Sequence, residues 1–207
     1  GMEHTTVSFM GSFSRSLIAH ELGHHWFGNK VTCATWQDIW INEGFAEYMA
    51  GLVVEHFDGQ QPFTSWKSQK NNSITSSPNG NVYLTESQAT NSNRIFDSRL
   101  TYNKGSMIVH MLRDKLGDTV FYQAVQNILN DPLLAYNSAT TEQVKTHFEN
   151  ASNLDLDEFF NDWIYNQGYP TFHLSSQNVA NGQVELVLSQ SSSHNSVSFF
   201  EAPVKVK

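Results

Sequence analysis

Apolar residues recur every three or four positions through most of the first 170 residues, and this spacing changes to alternation further along the chain. Recurrence at that spacing is typical of amphipathic helices, whose ends are marked here by Ser, Thr, Asp, Gly and Pro. The pattern predicts helices over Ser14–Phe27, Asn42–Phe57, Leu100–Leu116, Thr119–Leu129, Thr141–Asn150 and Leu156–Asn166.

The segment from Gln60 to Ser98 is different, because it is rich in Asn, Ser, Gln and Thr. Pro78-Asn79-Gly80 is a turn signal within it. We expect irregular structure there, with one short helix over Phe63–Lys70. The segment could be a solvated loop or a loop that lines a substrate site, and its composition favours the solvated loop.

Polar and apolar residues alternate near the C-terminus. This pattern predicts strands over Thr171–Gln177 and Gln183–Gln190, and the Asn181-Gly182 pair between them is a strong signal for a hairpin turn. Val197–Val206 is predicted to form another strand. The chain is therefore expected to be mainly α with a C-terminal β portion.

The change of pattern also divides the chain. We expect a helical domain over residues 1–170 and the beginning of a β domain over residues 171–207. A chain of 207 residues that is 39% hydrophobic is long enough to bury a substantial core. No internal repeat is visible.

Composition narrows the functional classes. The formal net charge is −8 and the twelve Lys and Arg form no basic run, which argues against nucleic acid or an anionic membrane as a partner. No apolar stretch approaches the roughly 20 residues that span a bilayer. The single cysteine, Cys33, cannot form an internal disulfide, and a small buried hydrophobe is its favoured interpretation. The sequence assigns no cellular compartment.

Two histidines on the first predicted helix are candidate metal ligands. His20 and His24 are four residues apart, so their side chains start about 5–6 Å from each other on one helix face and can reach one Zn²⁺. Glu21 would project beside the metal, where it can take the proton from a water molecule. Histidines at this spacing also occur on helix surfaces and in cores, so a third ligand is needed.

Glu43 is the candidate third ligand. Eighteen residues separate it from His24, and it lies in the first turn of the next predicted helix. That connection is long enough for the second helix to return beside the first. A carboxylate at this position could also serve only the helix dipole. Together the two helices predict a catalytic site for one zinc ion.

The stretches His20–Asn29 and Trp36–Tyr48 resemble the aminopeptidase N type of zinc metallopeptidases, a gluzincin family with a thermolysin-like catalytic domain. The resemblance implies a thermolysin-like helical catalytic subdomain followed by the start of a β-sandwich domain. It also implies that the family's metal ligands and general base correspond to His20, His24, Glu43 and Glu21.

Two further motifs are similar to this family. Gly1-Met2-Glu3-His4 resembles its exopeptidase motif, Gly-x-Met-Glu-Asn, although a histidine replaces the asparagine. This implies that Gly1, Met2 and Glu3 bind substrate: Glu3 would hold the α-ammonium group, and Met2 would line the first side-chain pocket. Glu3 could instead be a frayed terminal residue.

Tyr102 begins a segment similar to the family's Tyr-x-Lys-Gly-Ala. The resemblance implies that its hydroxyl donates a hydrogen bond to the developing oxyanion, although the ring could simply pack in the core. Glu47 lies one turn after Glu43 and could orient a ligand imidazole, but a solvated carboxylate on the helix surface is favoured.

The implied activity is zinc-dependent removal of N-terminal residues from peptides that have a free amino terminus. A thermolysin-like endopeptidase and a non-catalytic, zinc-stabilised scaffold are the alternatives. The family also has an N-terminal β domain ahead of the exopeptidase motif. We expect it in the full-length protein, so that without it part of the substrate cleft would be open to water and the isolated chain could be inactive.

Overall fold

A computed structural model describes residues 1–205 of the chain. Helices dominate it, as the hydrophobic pattern predicted. The α-helices in this range are α1 (Arg15–Gly23), α2 (Trp40–Asp58), α3 (Gln60–Ile74), α4 (Ser92–Ile95), α5 (Gly105–Leu116), α6 (Asp118–Asn130), α7 (Thr141–Ser152) and α8 (Asp157–Phe160).

Shorter elements complete the architecture. Two π-helical segments, Ser98–Lys104 and Asn161–Tyr165, run into α5 and out of α8. Single 3₁₀ turns lie at Trp36–Asp38, Gln88–Thr90 and Ala180–Gly182. The strands are β1 (Val31–Cys33), β2 (Asn137–Ala139), β3 (Pro170–Asn178) and β4 (Val184–Ser192).

The strands form two separate pairs. β1 and β2 are parallel, with Val31 opposite Asn137, whereas β3 and β4 form an antiparallel hairpin with Asn178 opposite Val184. The hairpin is the C-terminal β portion that alternation predicted, with strands slightly longer than expected. The mainly α class with a C-terminal β portion is thus confirmed. The β1–β2 pair was not predicted.

Helix α2 is the centre of the molecule. It packs against α1, α3, α5 and the first π-helical segment. Trp40, Ile41, Phe45 and Tyr48 of α2 are almost completely buried. Burying an aromatic or aliphatic side chain of this size contributes about 1.5–3 kcal/mol, so this helix is a rigid base for any group that it carries.

Helix α1 begins where predicted and ends earlier. The Ser14 side chain accepts a hydrogen bond from the Leu17 backbone N–H at 3.3 Å and caps the helix. The helix ends at Gly23 instead of continuing to Phe27. The chain turns there because Phe27 is buried and stacks on Phe45, with ring centroids 4.0 Å apart.

The expectation of irregular structure with only a short helix between Gln60 and Ser98 was wrong for its first part. Helix α3 extends the predicted Phe63–Lys70 segment in both directions, because Phe63 and Ile74 are both buried. Gly51 of α2 makes room for Trp66, since a Cβ at position 51 would lie 2.8 Å from the Trp66 ring. Packing overrides the polar composition of this segment.

The strand predicted over Val197–Val206 is also not observed. The described part of that segment, up to Lys205, contains no strand, and Val206 lies outside the described residues. Val197 and Phe200 turn inward and are buried. The Gln190 side-chain amide, not a neighbouring strand, pairs with the Phe200 backbone, at 2.9 Å in both directions.

None of the helices within residues 1–205 combines the length and apolar character needed to cross a membrane.

Candidate metal and catalytic site

Three predicted ligands converge between α1 and α2. Gly23 lets the helices approach, because a Cβ there would lie 3.2 Å from the Ala46 Cα atom. His20 Nε2 and His24 Nε2 are each 3.3 Å from Glu43 Oε2, and the two Nε2 atoms are 3.0 Å apart.

This triangle fits a tetrahedral zinc ion. Ligand atoms at about 2.0–2.1 Å from a tetrahedral zinc are separated from one another by roughly 3.3–3.4 Å, and the observed separations are close to that value. Glu43 Oε2 is buried and has no hydrogen-bond partner within the described residues. A buried carboxylate oxygen in that state calls for a positively charged partner.

The hydrogen bonds of the two imidazoles support the same assignment. His20 Nδ1 lies 3.0 Å from Glu47 Oε2, and His24 Nδ1 lies 2.9 Å from the Phe27 carbonyl oxygen. Because a carboxylate and a carbonyl oxygen can only accept, each Nδ1 donates to its partner and each Nε2 is the nitrogen that faces Glu43. The two Nε2 atoms and Glu43 Oε2 are therefore the atoms available to bind a cation, which would take the place of any proton between them.

Glu47 is the main correction at this site. The sequence favoured a solvated carboxylate, but Glu47 contacts His20 and forms an ion pair with Lys70 of α3 at 2.5 Å. Its side chain is only 14% exposed. The interpretation was wrong because α3 packs against α2 and brings Lys70 to Glu47, a contact between two helices that the sequence pattern does not reveal.

The electrostatics favour positive charge at the triad formed by His20, His24 and Glu43. Burial alone would lower the pKa of His20, but the Glu43 and Glu47 carboxylates outweigh it and raise this pKa to about 9. Burial alone would raise the pKa of Glu43, but its contacts with His20 and His24 lower it to about 2. Glu43 is therefore ionised across the physiological range, as a metal ligand must be.

Glu21 lies beside the triad and does not join it. Its carboxylate is buried, and Oε2 has no hydrogen-bond partner in the described part of the chain. The other oxygen, Oε1, is 3.5 Å from the Gly1 nitrogen. A Cβ at position 1 would lie 2.1 Å from Oε1, so a larger residue there would displace the Glu21 side chain.

The segment Met2–Phe9 forms a small loop that places Glu3 at the site. Met2 and Phe9 exchange backbone hydrogen bonds at 2.9 and 2.8 Å, and the Asn29 side chain donates to the Glu3 carbonyl oxygen at 2.9 Å. A Glu3 carboxylate oxygen lies within 4.8 Å of ligand atoms of Glu21 and His24. The sequence pattern did not predict this contact of Asn29.

Tyr102 reaches the site from the first π-helical segment, Ser98–Lys104. Its ring stacks on His20 with centroids 5.9 Å apart, and burial, together with the charge of Glu43, raises the pKa of its hydroxyl. The phenol therefore stays protonated and can donate. Lys104 anchors the end of the segment, because its buried Nζ donates to the Gly168 carbonyl oxygen at 3.1 Å. Single π-turns of this kind are frequent at functional sites.

Asp38, which lies in a family-like stretch, and Cys33, which precedes that stretch, both have structural surroundings. Asp38 is buried and accepts hydrogen bonds from the backbone N–H and hydroxyl of Thr141 at 2.9 and 2.8 Å, so it joins the start of α7 to the 3₁₀ turn. Burial raises the pKa of the Cys33 thiol to about 11, which fits the predicted hydrophobic role and not a nucleophile.

Comparison with known proteins places this geometry in a family. The model of the peptidase family M1 domain matches residues 7–163. The chain belongs to peptidase family M1. The M1 chain is 32% identical over 160 residues to aminopeptidase N from Lactococcus lactis subsp. lactis, which covers 74% of the chain and 19% of that protein. It is 33% identical over 169 residues to glutamyl aminopeptidase from Mus musculus, covering 78% of the chain and 17% of that protein.

Solved structures agree with this assignment. One match is an M1 zinc metallopeptidase mutant from Deinococcus radiodurans bound to a Tyr-Ser-Ala substrate. Its TM-score is 0.68 at 25% identity, and the match covers 79% of the M1 chain and 36% of the Deinococcus radiodurans chain. Another structure of an M1 zinc metallopeptidase mutant from Deinococcus radiodurans matches with a TM-score of 0.64 at 25% identity, over 74% of the M1 chain and 33% of the matched chain. The M1 chain spans about a fifth of the length of the curated relatives that it matches.

Proposed function

We propose that this chain carries the catalytic site of a zinc-dependent aminopeptidase that removes N-terminal residues from peptides. The observation that supports it best is the triangle of His20 Nε2, His24 Nε2 and Glu43 Oε2, with separations of 3.0–3.3 Å, next to the buried Glu21, whose Oε2 has no hydrogen-bond partner in the described part of the chain. The names of the relatives point to the same activity.

The residues divide the reaction between them. Zinc held by His20, His24 and Glu43 would act as a Lewis acid toward water and the scissile carbonyl. Glu21 accepts the proton of the attacking water and delivers it to the leaving amine. Tyr102 donates a hydrogen bond to the oxyanion that develops on the carbonyl oxygen.

Glu3 makes the proposed enzyme an exopeptidase. Its carboxylate lies beside Glu21 and His24, where it would accept hydrogen bonds from the α-ammonium group of the substrate. Gly1 and Met2 place that carboxylate, with Gly1 leaving room for Glu21. A fixed distance between the ammonium group and the triad restricts cleavage to the first peptide bond.

Replacement of Glu21 tests the proposal. Glu21→Gln should retain zinc and lose hydrolysis of an aminoacyl p-nitroanilide by at least about 100-fold, because the amide cannot accept the proton. Zinc content by atomic absorption and turnover are measured on the same samples. The matched control is Glu86→Gln, at an exposed position. Turnover near that of the wild type in Glu21→Gln would contradict the proposed role.

The alternatives predict different results. An endopeptidase should cleave peptides whose amino terminus is acetylated, whereas an aminopeptidase should not. A zinc-stabilised scaffold should bind zinc with all four site residues intact and turn over neither substrate.

We also propose that the division near residue 171 is a domain boundary. Most side chains of the β3–β4 hairpin are exposed, including Leu174 and Val184, which gives it little share in the helical core. Limited proteolysis that leaves residues 1–170 intact would support the boundary.

A further inference from the structure

Two cavities meet at the triad. The first has a volume of about 460 Å³ and contains His20 and Glu21, and the second has a volume of about 770 Å³. Glu3, Glu43 and Tyr102 line both of them. A substrate held by these shared residues must therefore extend into both cavities.

The position of Glu21 decides which part of the substrate enters which cavity. Glu21 lines the first cavity and not the second. Under the proposed function, Glu21 delivers a proton to the leaving amine, so the amine and the rest of the peptide lie in the first cavity. The second cavity is left for the side chain of the residue that is removed.

Apolar groups dominate the second cavity. Cys33 and Ile39 line it, and Ile39 is only 2% exposed. Trp36 and Phe96 form an aromatic rim, with ring centroids 6.0 Å apart and an interplanar angle of 74°. They are 53% and 47% exposed, so their faces are available to a ligand.

The polar groups of this cavity are already used inside the protein. The Asn42 side chain accepts from the Cys33 backbone N–H at 2.8 Å and donates to the Thr32 hydroxyl at 3.3 Å. The Thr35 hydroxyl donates to Asp38 at 3.0 Å. No Lys, Arg or His is among the residues described as lining the cavity, and its charged residues are Glu3 and Glu43.

We propose that the second cavity selects substrates whose first residue is aromatic or a large aliphatic, and rejects those with an acidic first residue. This specificity rests on the proposed function. A cavity of about 770 Å³ is within the range of about 300–1,000 Å³ for small-molecule sites, so an aromatic side chain fits. A carboxylate on the first side chain of the substrate would lose water there and meet no Lys, Arg or His among the described lining residues.

Steady-state kinetics of the zinc-loaded protein test the selection. The kcat/KM for phenylalanine p-nitroanilide should exceed that for alanine p-nitroanilide by about 10-fold and that for the glutamate α-anilide by at least about 100-fold. Equal or higher kcat/KM for the glutamate substrate would overturn the proposal.

Variants of Phe96 test whether the aromatic rim is responsible for the preference for a large first residue. Phe96→Ala should lower kcat/KM for the phenylalanine substrate by about 10-fold and leave the alanine substrate nearly unchanged, because only the larger side chain reaches the rim. Phe96→Arg should raise kcat/KM for the glutamate substrate relative to phenylalanine. Phe57→Ala is the matched control, since Phe57 is 70% exposed and lines neither cavity. An equal effect of Phe96→Ala on both substrates would contradict the assignment.

A second readout needs no hydrolysis. Cys33 is the only cysteine and lines the cavity, so its reaction with 4,4′-dithiodipyridine can be followed by absorbance. Free L-phenylalanine should slow that reaction severalfold, and L-glutamate should not. Equal protection by both amino acids would overturn the selection. Absence of all hydrolysis, by contrast, would remove the proposed function while Cys33 protection still decides the preference of the cavity.

Discussion

At the scale of single residues, the triad depends on a side chain that does not touch the metal position. Glu47 accepts a hydrogen bond from His20 Nδ1 and forms an ion pair with Lys70. This contact fixes which nitrogen of His20 faces Glu43 and increases the basicity of that nitrogen. Burial alone would raise the pKa of Glu47, but the contacts with His20 and Lys70 lower it to about 2, so the carboxylate remains ionised.

Glu47→Gln should therefore weaken zinc binding by about 10–100-fold without removing any proposed ligand. Competition with a fluorescent chelator measures the dissociation constant. Lys70→Met should have a smaller effect in the same direction. Lys67→Met is its control, because Lys67 lies one turn away over the Phe63 ring, 4.7 Å from its centroid. A dissociation constant that is unchanged in Glu47→Gln would show that His20 needs no such support.

At the scale of elements, two glycines set the distance between α2 and the helical segment that carries Tyr102. A Cβ at Gly44 would lie 2.9 Å from the backbone carbon of Gly105, too close for any real contact. Gly44 follows Glu43 directly, and Gly105 follows the π-helical segment directly. The close crossing of the two helices therefore places Tyr102 relative to the triad.

Gly44→Ala should lower both stability and activity. Alanine gains up to about 1 kcal/mol in helix propensity, but forcing the two backbones apart costs about 1–3 kcal/mol, so a net loss is expected. Urea unfolding measures stability, and turnover of zinc-loaded samples measures activity. Gly51→Ala is the control on the same helix: it meets the Trp66 ring and should lower stability while turnover is retained. Full activity of Gly44→Ala would contradict this account.

The contact between α2 and α5 also contains a buried histidine. The Tyr48 hydroxyl accepts from Arg113 at 3.2 Å and lies within hydrogen-bond distance of His110 Nδ1, at 3.3 Å. Burial, with the positive charges of Lys67 and Arg113, lowers the pKa of His110 to about 4. The folded protein therefore keeps His110 neutral at pH values where the unfolded chain is protonated.

The free energy of unfolding should fall as the pH is lowered from about 6.5 to about 4, because in that window the unfolded state binds a proton that the folded state does not. His110 should account for roughly 2–3 kcal/mol of this loss. His110→Gln keeps a hydrogen-bonding side chain beside Tyr48 and should remove that part of the slope in urea titrations. The exposed His56→Gln is the control. A slope that does not change in His110→Gln would refute the assignment.

At the scale of the whole molecule, zinc would join α1 to the central helix α2. The proposed ligands lie in α1, at its C-terminal end and in α2, and α2 is also packed against α3 and α5. A ligand that binds only the folded state stabilises it by mass action, by about 4 kcal/mol at a free concentration 1,000 times its dissociation constant.

Removal of zinc by chelation should lower the melting temperature by on the order of 10 °C for a chain of this length. Differential scanning calorimetry of metal-free and reconstituted samples measures the shift. Zinc should restore the melting temperature, and magnesium should not, because magnesium prefers oxygen ligands in octahedral geometry. Identical melting temperatures with and without zinc would argue against a metal that joins the two helices.

Local rules made much of the architecture predictable. The Ser14 cap, the Thr140–Gln143 capping box and the Asn181-Gly182 hairpin signal depend on contacts between near neighbours in the chain, so their residue types reveal them. The predictions failed where contacts between residues distant in the chain decide the local structure. Helix α3 forms because Gly51 admits Trp66, and the segment after Val197 turns inward because Phe200 is buried.

The candidate site also has one part that local spacing predicts and one part that depends on contacts between distant residues. Spacing alone placed His20 and His24 on one helix face beside Glu21, because the pitch of an α-helix fixes those positions. The sequence by itself thus determined the helical class and the residue types of a metal site. Only the tertiary structure decided that Glu47 supports His20, that Asn29 holds Glu3 and that two cavities meet at Tyr102. These contacts join residues distant in the chain, and packing of the helices, not local spacing, sets the distances between them.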